Sequence, residues 1–160
     1  MRRLLICTAI PPEFNLVKKI MTVKKTLSQP GGPRVAVGTI GGVEIDLVMV
    51  GMGHEAAIKS LRSGLEVLKN TYDGVVVAGY AGSLVDDIKL GQLILASEVV
   101  NTEGAVLPLE TPFLKLAQER LNRSKIDAET VRLVMAGRIL SLSDEKRTLH
   151  VKTKAEVVDM

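Results

Sequence analysis

Arg34-Val35-Ala36-Val37-Gly38-Thr39-Ile40, then Gly41-Gly42, then Val43-Glu44-Ile45-Asp46-Leu47-Val48-Met49-Val50 and Gly51-Met52-Gly53 is the stretch on which the fold turns. Two runs rich in β-branched and aliphatic residues flank a two-residue connection. Only glycine adopts the positive φ angles of such a turn at little cost, so the stretch reads as a β-hairpin. The glycines that follow close the second strand and open a helix, expected from about His54 to Asn70 with Ala57, Leu61, Leu65 and Leu68 on its core face. Strand, glycine turn and helix in that order are the working unit of an α/β fold.

Upstream, Arg3 to Ala9 is a continuous apolar run suited to a strand buried on both faces. Pro11 and Pro12 end it and start a helix, along which Phe14, Val17, Ile20 and Met21 recur at helical spacing. Ser28 to Pro33 reads as a loop. Downstream, Gly74 to Ala78 is a short apolar strand that runs into Gly79-Tyr80-Ala81-Gly82-Ser83. Leu93 to Val100 and Ala105 to Leu109 read as strands, and Pro112 opens a helix with Phe113, Leu116, Ala117 and Leu121 on its apolar side. Val131 to Ala136 and Ile139 to Leu142 look extended. Asp144 to Lys152 looks helical with Ser143 as its N-cap, and Glu156 to Met160 begins a last strand. The expected fold is a single α/β domain over residues 1–160, a three-layer αβα sandwich on a mixed, mostly parallel sheet. A final strand that lacks its following helix makes that fold read as incomplete at the C-terminus.

The 160 residues are 46% hydrophobic but only 2% aromatic and contain no Trp, so the core must be aliphatic. The formal charge of +3 comes from scattered basic pairs, Arg2-Arg3, Lys18-Lys19 and Lys24-Lys25, alternating with acidic residues. A nucleic-acid binder would show a basic stripe interleaved with aromatic residues, and that pattern is missing. The apolar start, Leu4-Leu5-Ile6, is too short for a signal segment and is cut off by Pro11-Pro12-Glu13; no run reaches membrane-spanning length. Cys7 is the lone cysteine, which rules out an intrachain disulfide and fits a reducing compartment. The expectation is a cytoplasmic protein with neither nucleic acid nor membrane as partner.

Gly51-Met52-Gly53-His54-Glu55-Ala56 matches the dinucleotide pattern G-x-G-x-x-A, yet it follows a hairpin rather than a first βαβ strand. Asp73, which would have to serve as the ribose-binding acid, precedes the next strand instead of ending it. A glycine turn that packs a helix on a sheet explains the pattern equally, and no cofactor is implied. Gly79 to Ser83 is the more informative loop, because a buried strand that ends in small residues lets a ligand approach its backbone. It is no nucleophile elbow, since Ala81 stands where G-x-S-x-G needs serine. Two histidines without a nearby cysteine give no metal-ligand spacing, so no metal is expected. Read alone, Glu13 is either a solvated first-turn glutamate favoured by the helix dipole or an acid placed at the carboxyl edge of the sheet beside the glycine loops.

Five stretches in order resemble the purine nucleoside phosphorylase and nucleosidase superfamily, which includes the methylthioadenosine/S-adenosylhomocysteine nucleosidases and the phosphorylase-like enzymes linked to hopanoid biosynthesis. They are Cys7 to Phe14, Val50 to Ala57, Ala78 to Leu84, Lys89 to Leu93 and Val157 to Met160. The resemblance implies cleavage of a nucleoside's N-glycosidic bond. It makes Glu13 the residue that activates water, Ala81 and Gly82 the backbone wall beside base and ribose, Ile10 an apolar pocket contact, and Met160 the methionine beneath the ribose. Ala9, Ser83 and Asp159 complete the implied substrate contacts.

Phosphorylases of the family carry an arginine and a serine for phosphate at positions matching Val77 and Tyr80, so the resemblance implies hydrolysis rather than phosphorolysis. The family's ribose-binding glutamate and purine-protonating aspartate follow the position of Met160, which implies impaired turnover for this form. The expected ligand is a small-molecule purine nucleoside or a 5′-modified adenosine, and the expected assembly a homodimer. A non-catalytic nucleoside-binding or assembly module is the alternative reading.

Overall fold

The computed structural model describes residues 2–28, 31–109 and 111–159. Met160, expected beneath the ribose, lies outside them, as do Gln29 and Pro30 of the expected loop. The chain divides into one unit through Tyr80 and another from Ala81.

In the first unit the glycine hairpin forms as its sequence requires. Strand β3 (Arg34–Ile40) pairs antiparallel with β4 (Val43–Met49), from Arg34 opposite Met49 to Ile40 opposite Val43. Gly41 and Gly42 turn between them at φ 55° and 81°. Strand β1 (Arg3–Thr8) pairs parallel with β4 on one side and with β5 (Gly74–Val77) on the other. These buried parallel strands are the continuous apolar runs of the sequence. The sheet order is β2-β3-β4-β1-β5.

Its outermost strand, β2 (Thr22–Ser28), was not anticipated. Its side chains are exposed apart from the half-buried Leu27, and a register shift falls between Val23 and Lys25. An edge strand that faces water, carries lysines and is bulged shows no alternating apolar pattern to read.

Helices cover both faces of this sheet. Helix α1 (Pro11–Ile20) buries Phe14, which with Met21, Ala36, Ile45 and Leu47 forms one aliphatic cluster backed by Leu4 and Ile6. Helix α2 (His54–Leu68) seals the opposite cluster of Leu5, Cys7, Val35 and Val48 through Leu61 and Leu68, and buries Gly64. Leu65, expected on that core face, remains 37% exposed. The alternation along β1, with Leu4 and Ile6 facing one way and Leu5 and Cys7 the other, is the period-two rule acting on a strand buried on both faces.

The second unit contains a separate five-stranded sheet, order β6-β10-β9-β7-β8, from β6 (Gly82–Ser83), β7 (Leu93–Asn101), β8 (Val106–Pro108), β9 (Ala128–Met135) and β10 (Val157–Asp159). Leu84, Val100, Val134, Ala136, Ala155 and Val158 form its core, with Leu140 and Leu149 packed on it. Helix α3 (Pro112–Arg123) is capped by Thr111, whose side chain accepts from the Leu114 N–H, but it buries none of its residues. Helix α4 (Ser143–Thr153) begins at Ser143 itself. Its N-cap is Leu142, so Ser143 does not cap it, and Ile139 to Leu142 is irregular rather than extended strand.

The α/β class therefore holds, with the strands hydrogen-bonded in two mixed sheets. Parallel pairings do not predominate: each sheet joins two parallel and two antiparallel pairs, because antiparallel strands flank the parallel ones.

Candidate active site

The chain leaves β1 at Thr8 and runs through Ala9 to Ile10, the N-cap of α1, which is extended at φ −125° and ψ 159°. Pro11 and Pro12 take the first two helical positions, where a missing N–H costs nothing and a fixed φ suits the helix. Glu13 is then the third helical residue, and its side chain folds back over the cap rather than outward. Its Oε2 accepts from the Ala9 N–H at 2.8 Å and from the Ile10 N–H at 3.1 Å. Glu13 is only 7% exposed, which overturns the reading of it as a solvated first-turn residue.

A third donor comes from the end of β5. The Tyr80 N–H donates to Glu13 Oε1 at 3.0 Å. The approach is close because Gly79 has no side chain: a Cβ there would stand 2.7 Å from Glu13 Oε1 and 3.0 Å from its Cδ. A carboxylate offers about four lone-pair positions. Three are taken by backbone N–H groups, which leaves one on Oε1 without a partner among the described residues. That arrangement fixes the carboxylate in place against the backbone.

The neighbouring side chains of β1 add little competing chemistry. Burial pushes the Cys7 thiol up to about 11, which keeps it protonated and unreactive. Thr8 is completely buried, and its hydroxyl has no hydrogen-bond partner among the described residues.

Ala9, Ile10 and Glu13 are brought together by these bonds. Gly79 and the Tyr80 N–H belong with them and were not singled out in that role; the signal for them was the small residue at the strand end. Gly82, Ser83 and Asp159 gather in the second unit, where β6 and β10 place Gly82 opposite Val158 and Ser83 opposite Val157. The Asp159 carbonyl accepts from the Ala136 N–H at 2.8 Å. Ser83 Oγ donates to the Val85 carbonyl at 2.5 Å and accepts from the Val85 N–H at 3.1 Å, so the hydroxyl is committed to a local turn. Ala81 is exposed.

Gly51 and Gly53 sit at φ 86° and 84° and start α2, with His54 exposed at its first position. Asp73 accepts from the Arg3 N–H at 2.8 Å, at the opposite end of β1 from Glu13, which removes it as a ribose ligand. Two surface grooves, about 380 Å³ along the outer side of α2 and about 460 Å³ beside Gly137, Arg138 and α4, include none of the expected substrate contacts. Among the described residues no three His, Cys, Asp or Glu side chains are grouped to hold a metal ion, and no helix is long and apolar enough to cross a membrane.

Parallel strands covered by helices, with a buried glutamate held by backbone N–H groups where the first strand ends, make the first unit an α/β unit with a caged carboxylate. The chain belongs to the phosphorylase superfamily, whose family profile matches residues 3–160. A 5′-methylthioadenosine/S-adenosylhomocysteine nucleosidase of Shewanella sp. (strain W3-18-1) is 32% identical over 114 residues, 71% of this chain and 48% of that protein. This chain therefore spans about half the length of the curated relatives it matches. A futalosine hydrolase mutant of Helicobacter pylori strain 26695 has a TM-score of 0.87 at 19% identity, covering 100% of this chain and 79% of that one. The 5′-methylthioadenosine/S-adenosylhomocysteine nucleosidase from Helicobacter pylori with butyl-thio-DADMe-Immucillin-A gives 0.88 at 19% identity, over 100% and 75%. At such identities the structural likeness speaks for the fold.

Proposed function

We propose that the protein cleaves the N-glycosidic bond of a purine nucleoside or a 5′-modified adenosine, with water as the nucleophile and Glu13 as the general base. The observation that carries this is the Glu13 carboxylate, buried, bound by three backbone N–H groups and left with one acceptor position. In the proposed step that position takes a proton from water as the water oxygen bonds to C1′. The C1′–N9 bond breaks through an oxocarbenium-like ribose, and the departing base takes up a proton. The resemblance assigns that last proton, and the grip on the ribose hydroxyls, to family residues following the position of Met160. Gly82, Ser83 and Asp159, with Ala81, are proposed as substrate contacts.

Hydrolysis is favoured over phosphorolysis by Val77 and Tyr80, which stand where the family's phosphorylases place arginine and serine. An exposed valine and a tyrosine offer no comparable anion site. We read both units as one family domain, since the family profile runs through both. We further propose a homodimer in the cytoplasm, the first because the edge strand β8 exposes Val106 and Leu107 at 52% and 61%.

The test is release of adenine from methylthioadenosine, S-adenosylhomocysteine and adenosine. Glu13→Gln keeps the shape but exchanges an acceptor for a donor, so release should fall about 100-fold or more. Release that is indifferent to Glu13→Gln refutes the reading, and nucleoside binding without any release assigns the chain to the binding-module class.

A further inference from the structure

Arg34 opens β3 at the edge where β1 and β4 end, since it stands opposite Met49, and Met49 is level with Thr8. Its alternation partners Ala36 and Ile40 belong to the cluster beneath α1, which puts its side chain on the α1 face. There the guanidinium carbon lies 4.8 Å from the centroid of the Phe14 ring. Nη2 also donates to Asn15 Oδ1 at 3.4 Å. Phe14 is completely buried and follows Glu13 directly in the first turns of α1.

We propose that Arg34 is a positioning residue for Glu13: stacked on Phe14 and bonded to Asn15, it clamps the start of α1 and thereby holds the carboxylate against the Ala9, Ile10 and Tyr80 N–H groups. Arg34 reaches the two residues after Glu13 and not the carboxylate itself, so its influence passes through the ring and the helix rather than through an ion pair. A planar, delocalised cation suits this place, because it can pack over an aromatic face and still present N–H groups at its rim, whereas a lysine ammonium is a compact, strongly hydrated point charge without that planar fork. The role in catalysis rests on Glu13 being the water-activating group.

Amide hydrogen exchange reads the clamp directly. In Arg34→Met the Ala9, Ile10 and Tyr80 amides should exchange about 10-fold faster, the order that a partly desolvated stacked guanidinium is worth, while amides of the β3-β4 pairing keep their rates. Arg34→Lys should show most of the same acceleration, and it carries the test if Arg34→Met does not fold. For nucleoside cleavage both variants should lower kcat by about 10-fold with KM within about 2-fold, the pattern of a base held less well rather than a substrate bound less well. Unchanged exchange at those three amides overturns the proposal. So does full restoration by Arg34→Lys, which would make charge alone the agent. If the unsubstituted chain cleaves no nucleoside, the reading of Glu13 as base fails while the three amide rates still judge the clamp.

Discussion

Replacing Gly79 with alanine adds one methyl group directly against the Glu13 carboxylate, and its cost can be worked from the geometry. Gly79 is not at positive φ, so alanine strains nothing through the backbone. The new Cβ would lie 2.7 Å from Oε1, 3.0 Å from Cδ and 3.3 Å from Oε2. To regain van der Waals distance the carboxylate must retreat by roughly 0.5–1 Å. The Tyr80 N–H bond, now 3.0 Å, would then be lost. A hydrogen bond to a charged group contributes about 1.5–3 kcal/mol, and alanine returns about 0.4–1 kcal/mol by restricting the unfolded chain. The net loss is about 1–2 kcal/mol, which lowers Tm by roughly 3–6 °C for a chain of this size. A base displaced by that distance should also slow nucleoside cleavage by about 100-fold. Thermal unfolding in a double-mutant cycle with Glu13→Ala isolates the cause: with the carboxylate gone, Gly79→Ala should become neutral or slightly stabilising. An equal loss in both backgrounds, or none in the first, would refute the argument that Gly79 exists to make room for Glu13.

Burial raises the folded-state value of the Cys7 thiol to about 11, above its ordinary 9.0, so its contribution is complete below pH 9 and is lost as pH rises towards 11. A two-unit shift at a buried site corresponds to about 2–3 kcal/mol. Denaturant midpoints measured across pH 8–11 should decline, and Cys7→Ala should flatten the slope. Tyr72, raised first by burial and then by its bond to Asp46, adds a decline of the same sign at higher pH. Tyr72→Phe removes the 2.9 Å donation to the completely buried Asp46, leaving Arg3 and Asn70 to hold it, and should cost about 1 kcal/mol by urea unfolding. Gly42→Ala forces a Cβ onto a φ of 81° and should cost about 1–2 kcal/mol by the same measurement.

What could be read beforehand, and what could not, divides along one physical line. The hairpin, β1, α1 and α2 were legible because a strand buried on both faces and a helix packed on it must write their burial into consecutive residues. Glu13 was legible as a position, since two prolines fix where the helix starts and therefore where its third residue falls. Its burial was not, because nothing local in Pro11-Pro12-Glu13 tells a solvated dipole partner from a caged carboxylate. That difference is made by Gly79 and Tyr80, more than sixty residues away, through a hydrogen bond that requires only a backbone N–H and an absent side chain. Strand β2 escaped notice for the complementary reason, as an exposed edge strand buries too little to leave a pattern. The Asp46 cluster likewise draws Arg3 from β1 and Asn70 and Tyr72 from the connection between α2 and β5 around one buried carboxylate. In each case periodicity reports how a segment meets the core, whereas a hydrogen bond between groups far apart in sequence leaves no periodic mark. Glycine is the exception. A glycine that ends an apolar strand marks where another group must come close, and Gly79 locates the cage around Glu13 more sharply than any polar residue near it.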